Sequence, residues 1–217
     1  MQPKAFLFGA IGTVVDTSDI QRRAFNEAFK EHGLDWHWGQ EEYAGLLSVV
    51  GGQNRVAAFA ETQGTTVDAK AVHASKSRIY QRMLQQESVA LRPGVKELIA
   101  HAQNTGAKVA WVTTTSRSNV DAILHATNGS LTEDSFALIT DGGMVDKGKP
   151  DPQCYEVTLE RLSLLPTDVL AVEDTPDSLA AATRAGIPTV AFPGATAPNP
   201  DWTGAVRQVD DLRALLQ

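Results

Sequence analysis

The period of the apolar positions changes along the chain. Lys4-Ala5-Phe6-Leu7-Phe8 is a short apolar run closed by Gly9, with the length and composition of a buried strand opening into a loop. Ser18 and Gln21 have capping-box spacing, and Ile20, Ala24, Phe25, Ala28 and Phe29 then share one helical face until Gly33, predicting a helix over 19–32. The helical period continues over 41–47, over 54–63 after Gly51-Gly52, and over 68–86, with no strand predicted between them.

After Arg92-Pro93-Gly94 the rhythm changes. Apolar runs of strand length at 108–113, 136–140, 169–173 and 189–192 alternate with amphipathic segments at 95–104, 119–126, 153–162 and 176–185. Gly106 stops the first of these helices, Pro152 and Pro176 suit a first helical turn, and Gly186 suits the left-handed position after a helix. The pattern predicts an α/β fold: a parallel sheet covered on both faces, joined by right-handed crossovers, with an inserted helical module. Residues 1–15 and 89–217 form the α/β part and 16–88 the insertion. Ligands of such sheets sit where strand carboxyl ends open into loops.

Composition narrows the field of partners. The chain has 217 residues, 42% of them hydrophobic, enough for one full core with an attached module. A net charge of −7 disfavours nucleic acid and offers no polybasic patch to a membrane. Cys154 is the sole cysteine, so neither an intrachain disulfide nor a cysteine-based zinc site can form. No signal-peptide pattern or long apolar span is present, and the expectation is a cytoplasmic protein, monomeric, acting on a small molecule. The five histidines are scattered and suggest no metal site.

The predicted strand ends read Gly9-Ala10-Ile11-Gly12-Thr13, Thr113-Thr114-Thr115-Ser116, Gly148-Lys149-Pro150-Asp151-Pro152 and Glu173-Asp174. Hydroxyls donate to phosphate oxygens, a lysine neutralises phosphate charge, and a Glu-Asp pair supplies hard oxygen ligands for magnesium. Each fragment alone also suits a plainer role: a serine N-cap at Ser116, Asp151 capping the following helix, or carboxylates at a helix start. Their order and spacing together point to one site.

That order resembles the haloacid dehalogenase superfamily, and within it the CbbY-type sugar-phosphate phosphatases, known for removing phosphate from xylulose 1,5-bisphosphate, with β-phosphoglucomutase nearby. Most specific are Arg22-Arg23-Ala24-Phe25-Asn26-Glu27-Ala28-Phe29, Gly33-Leu34-Asp35-Trp36-His37-Trp38 and Leu46-Leu47-Ser48-Val49-Val50-Gly51-Gly52. The resemblance implies a Rossmann-like three-layer core and a helical cap over 16–88 that closes on the site. It makes Thr113 the phosphate-binding hydroxyl, Lys149 the lysine that holds the phosphoryl group, and Glu173 and Asp174 the magnesium ligands. Thr114 and Thr115, beside it, are candidate substrate-binding residues. Gly51, Gly52, Arg55 and Lys76 fall where relatives bind the distal part of the substrate, although Arg55 and Lys76 also suit solvated helix surfaces.

The resemblance breaks at the first motif, Asp-x-Asp-Gly-Thr, whose slot here reads Gly9-Ala10-Ile11-Gly12-Thr13. In relatives the first aspartate attacks phosphorus and ligates magnesium, and the second moves the proton. Glycine has no nucleophile and isoleucine carries no proton, so turnover should be impaired or absent and magnesium affinity weakened. Gln21 replaces a usual histidine and Gln53 a usual lysine, which reads as coordinated natural divergence. Asp16, seven positions from Gly9, is expected to serve structure.

Three readings compete. The first is a non-catalytic relative whose pocket binds phosphate or a phosphorylated small molecule. Without a carboxylate at position 9, Lys149 is expected to hold an uncompensated preference for anions, and sulfate or phosphate to sit beside Thr113 and Lys149 without magnesium. The second is a weak phosphatase using water activated by magnesium on Glu173 and Asp174. The third is a protein-interaction module with a relic pocket. Trp36 and Trp38 are expected to pack the cap core, and Asp210-Asp211 to begin a last helix.

Overall fold

Alternate residues of the first strand feed two different cores. In β1 (Ala5–Phe8), Phe6 and Phe8 join one hydrophobic cluster while Ala5 and Leu7 join the other, so all four side chains are buried. This is why the run reads as continuously apolar: a central parallel strand is covered on both faces. The computed structural model describes residues 2–9, 11–194 and 200–216. Ala10, in the degenerate motif, lies outside them.

The described residues form a six-stranded parallel sheet in the order β3-β2-β1-β4-β5-β6. The strands are β2 (Lys108–Val112), β3 (Leu138–Thr140), β4 (Val169–Glu173), β5 (Thr189–Ala191) and β6 (Arg207–Gln208). Phe8 pairs in register with Trp111 on one side and Val172 on the other. Gly9, Thr113 and Glu173-Asp174 therefore emerge at one level of the sheet's carboxyl edge.

Between β1 and the rest of the sheet come α1 (Ile11–Val14), α2 (Ser18–Glu31), α3 (Gln40–Leu46), α4 (Gly52–Thr62) and α5 (Ala69–Gln86). Then α6 (Val95–Thr105), α7 (Arg117–Ala126), α8 (Gln153–Leu162) and α9 (Pro176–Arg184) alternate with the strands. Ser116 and Thr175 cap α7 and α9 through their hydroxyls, and Gly106 and Gly186 take left-handed backbone after α6 and α9.

Several local expectations are corrected. Ser18 is not an N-cap: α2 begins there, and Asp16 Oδ1 accepts from the Ser18 amide at 2.9 Å and its hydroxyl at 2.6 Å. The segment after β1 is a one-turn helix rather than a loop. The strand expected over 136–140 starts at Leu138, because Phe136 ends a preceding 3-10 turn. The two-residue, exposed β6 carries no apolar pattern that could announce it. The last element is a short 3-10 turn over Leu212–Leu215, capped by Asp211.

The insertion packs on its own aromatic core. Trp38 is fully buried against Phe25, Phe29, Tyr43 and Phe59, and Trp36 packs edge-on to Phe29 and Phe59. Both tryptophans therefore fill the core of the insertion rather than form a platform for a sugar. Val15 and Leu91 pair as an antiparallel bridge, bringing the two strands of chain at the insertion's base together.

Candidate functional site

A cavity of about 810 Å³ lies between the helical insertion and the carboxyl edge of the sheet. From the sheet side it is lined by Ile11, Gly12, Thr113, Thr114, Thr115 and Asp174, and from the insertion by Gln21, Gly51, Gly52, Arg55 and Lys76. The structure thus brings most of the residues singled out from the sequence to one place. Gly9, Lys149 and Glu173 lie against the same strand ends without forming part of the cavity's described wall. Gln53 is exposed and away from that wall.

The sheet end is organised by three strand termini. Thr113 is buried and its hydroxyl accepts from the Thr115 amide at 3.2 Å, while Asn119 donates to the Thr115 hydroxyl at 2.8 Å. Asn119 also accepts from Gln81 on α5 at 2.9 Å, tying the insertion to the α/β core across the cavity. Tyr80 donates to the Thr17 hydroxyl at 2.9 Å beside it.

Behind this wall, Lys149 donates to Glu173 Oε1 at 2.6 Å and to the Val112 carbonyl at 3.0 Å. The Tyr155 phenol donates to the same glutamate oxygen. Glu173 is fully buried. Its carboxylate lies where a side chain at position 9 would begin: a Cβ added to Gly9 would overlap the carboxylate carbon and both oxygens. The expected uncompensated charge on Lys149 is therefore corrected. Glu173 occupies that space and pairs with Lys149, as a buried ammonium is stable only when paired.

Asp174 faces the cavity. The Thr13 hydroxyl donates to Asp174 Oδ1 at 3.3 Å, and a Cβ on Gly12 would strike Oδ2, so glycine is required there for the close approach. Burial, then the neighbouring Glu173 charge, push the Asp174 carboxyl up to about 6, while Lys149 and Arg92 oppose this. Arg92 clamps the same loop by donating to the carbonyls of Gly12 at 2.7 Å, Phe192 at 2.9 Å and Pro193 at 2.6 Å, with its guanidinium over the Phe192 ring.

At the opposite end, Lys76 is buried with its ammonium 5.0 Å from the Phe25 ring centre and 4.7 Å from that of Tyr80, donating to Gln21 Oε1 at 3.0 Å. Burial, assisted by Arg55, lowers Lys76 to about 7. Burial likewise lowers His73, on the same wall, to about 4, with Lys76 and Arg55 contributing. Arg55 donates to the carbonyls of Leu46 at 2.9 Å and Val49 at 3.1 Å and stacks over Tyr43. Neither cation belongs to an ion pair among the described residues. The plainer reading of Arg55 and Lys76 as solvated surface charges is thus excluded by their burial. Asp16 combines its turn role with a place on the cavity wall.

The magnesium implied by the resemblance would need carboxylates from the ends of β1 and β4. Position 9 supplies none, Glu173 is held by an ammonium and a phenol, and of the strand-end carboxylates only Asp174 lines the cavity, Asp16 on the same wall being engaged by Ser18. Among the described residues no group of three or more His, Cys, Asp and Glu side chains converges to hold a metal. As arranged, these residues do not fit the ion.

Sequence reasoning missed Tyr155, Arg92, Asn119 and Gln81. Tyr155 sits in α8 among core residues, where periodicity cannot separate a functional phenol from a packed ring. Arg92 stood in a stretch read only as a boundary; a charged residue before Pro-Gly was the available signal.

A parallel sheet with a carboxyl-edge pocket beneath inserted helices is the class of fold that this chain shares with a family of hydrolases. The chain belongs to the haloacid dehalogenase-like hydrolases, whose family model matches residues 3–186. Its relatives include the CbbY proteins of Rhodobacter capsulatus, 39% identical over 99% of this chain and 96% of that protein, and of Cupriavidus necator, 40% identical over 94% and 83%. The crystal structure of CbbY from Rhodobacter sphaeroides in complex with phosphate superposes with a TM-score of 0.90 at 35% identity, covering 99% of this chain and 96% of that one. A mutant of that protein in complex with xylulose-(1,5)bisphosphate gives 0.88 at 36% identity, covering 97% and 95%. No helix of the described residues is long and apolar enough to cross a membrane.

Proposed function

We propose that this chain binds a phosphorylated sugar in the cavity beneath residues 16–88, which act as a cap on a core of 1–15 and 89–217, and that it turns the ligand over poorly or not at all. One observation carries the reading: the two positions where the family's chemistry begins present a glycine, whose side-chain space is filled by Glu173, and an isoleucine on the cavity wall. Loss of a nucleophile elsewhere costs on the order of a millionfold in turnover, which positioning does not recover. Binding needs neither aspartate. The hydroxyls of Thr113, Thr114 and Thr115 offer hydrogen bonds at the core end, and Arg55 and Lys76 supply positive charge under the cap. That a similar protein has been crystallised with phosphate and with xylulose-(1,5)bisphosphate supports a ligand of this class.

The test has two arms. Wild-type protein freed of contaminating phosphatases is incubated with a panel of sugar phosphates, and released phosphate is measured beside an Asp174→Ala control; no difference is expected. Calorimetry with xylulose 5-phosphate should show saturable binding that Lys76→Met weakens at least tenfold. A covalent phosphoryl adduct on the wild-type protein, or absence of binding, overturns the proposal.

A further inference from the structure

Positive charge is distributed unequally along the cavity. At the core end Lys149 is spent on Glu173 at 2.6 Å, and Glu173 occupies the space that position 9 leaves free. The carboxylates on the wall are that of Asp174, beside the threonine hydroxyls, and that of Asp16, engaged by the Ser18 amide and hydroxyl. Arg92, which donates to the Gly12, Phe192 and Pro193 carbonyls, is not among the wall residues. Under the cap, Arg55 and Lys76 are buried, face the cavity, and have no carboxylate partner among the described residues. Arg78, also on that wall, is paired with Glu31 at 2.5 Å.

An anionic group is attracted to the cap end and repelled from the core end. A phosphate entering the core end would either lie against the Asp174 carboxylate or pull Lys149 away from Glu173, leaving a buried carboxylate without its ammonium. A sugar hydroxyl meets neither obstacle, since it donates to Asp174 and accepts from Thr114 or Thr115. We propose that the cavity selects singly phosphorylated sugars over bisphosphates, holding the one phosphate at Arg55 and Lys76 and an uncharged hydroxyl end at Thr113–Thr115 and Asp174, with Glu173 as the residue that sets this preference. The inference rests on the sugar-phosphate reading above and adds to it the number and placement of charged groups on the ligand. Glu173 acts through Lys149 and is a positioning residue.

Calorimetry on the intact protein, without added metal, compares xylulose 5-phosphate with xylulose 1,5-bisphosphate. The monophosphate is expected to bind roughly tenfold tighter or better, the scale of one unfavourable charge contact in a partly buried site. Glu173→Gln frees Lys149 and is expected to tighten the bisphosphate at least tenfold while moving the monophosphate by less than about threefold. Asp174→Asn, which keeps its shape, is expected to narrow the gap without removing it and provides a second variant should Glu173→Gln fold poorly. Equal or tighter binding of the bisphosphate by the wild-type protein overturns the proposal and leaves the sugar-phosphate reading intact, as does a Glu173→Gln effect that is the same for both ligands. Binding of neither ligand overturns both.

Discussion

The Glu173 carboxylate stands where a side chain at Gly9 would begin, and it is the counterion of Lys149. The two positions are therefore coupled: a carboxylate at either one excludes the other from the same space. Gly9→Asp alone is expected to destabilise the fold by about 2 kcal/mol, through overpacking and like-charge contact. Adding Glu173→Ala should return much of that loss. Denaturant unfolding of both single variants and the double variant measures the coupling, and additive effects would show that the two side chains do not compete.

Lys76 makes stability depend on pH in a predictable direction. Its folded value is lowered from 10.5 to about 7, so between those values the unfolded chain holds a proton that the folded chain does not. Stability contributed by this group is lowest below pH 7 and rises as the pH climbs through that window. His73 titrates below it, and Tyr80, pushed up by burial, above it. Lys76→Met should raise the melting temperature clearly at pH 6.5 and by much less at pH 10; an equal shift at both would show that Lys76 is not strained by burial.

Asp174 behaves in the opposite sense. Its folded value is raised from 3.8 to about 6, so the native protein holds the extra proton between those values and loses stability as pH rises through them. Asp174→Asn removes the dependence. Melting curves at pH 4.5 and 7 are expected to show the variant gaining on the wild type at the higher pH, and a constant offset would contradict this.

Asn26 holds the insertion's aromatic core in place. Its side chain accepts from the Trp38 amide at 2.8 Å and donates to the Trp38 carbonyl at 3.1 Å, in a buried setting. Asn26→Ala leaves a buried amide N–H without its acceptor and is expected to cost about 2 kcal/mol by denaturant unfolding. Trp38 fluorescence should shift with it, whereas a change within about 0.5 kcal/mol would mean that water replaces the asparagine.

Much of the architecture was legible before any coordinates. The apolar run of β1 declared a strand buried on both faces, and the alternation after residue 92 declared a parallel sheet, because helix and strand periods are local properties of the chain. Order and resemblance single out the strand-end hydroxyls, Arg55 and Lys76, and they line one cavity. Boundaries were less legible: α1, one turn long, and β6, two exposed residues, have no periodicity to read.

By itself the sequence determined that positions 9 and 11 carry no carboxylate, since a glycine and an isoleucine lack one wherever the chain places them. Tertiary structure alone decided what fills the gap. Lys149, Tyr155 and Glu173 come from separate segments, and their meeting depends on α8 packing against the sheet beneath the end of β4. No spacing rule encodes that meeting, because the partner of a buried charge is set by which side chains share its low-dielectric surroundings, and those are assembled only when the sheet is.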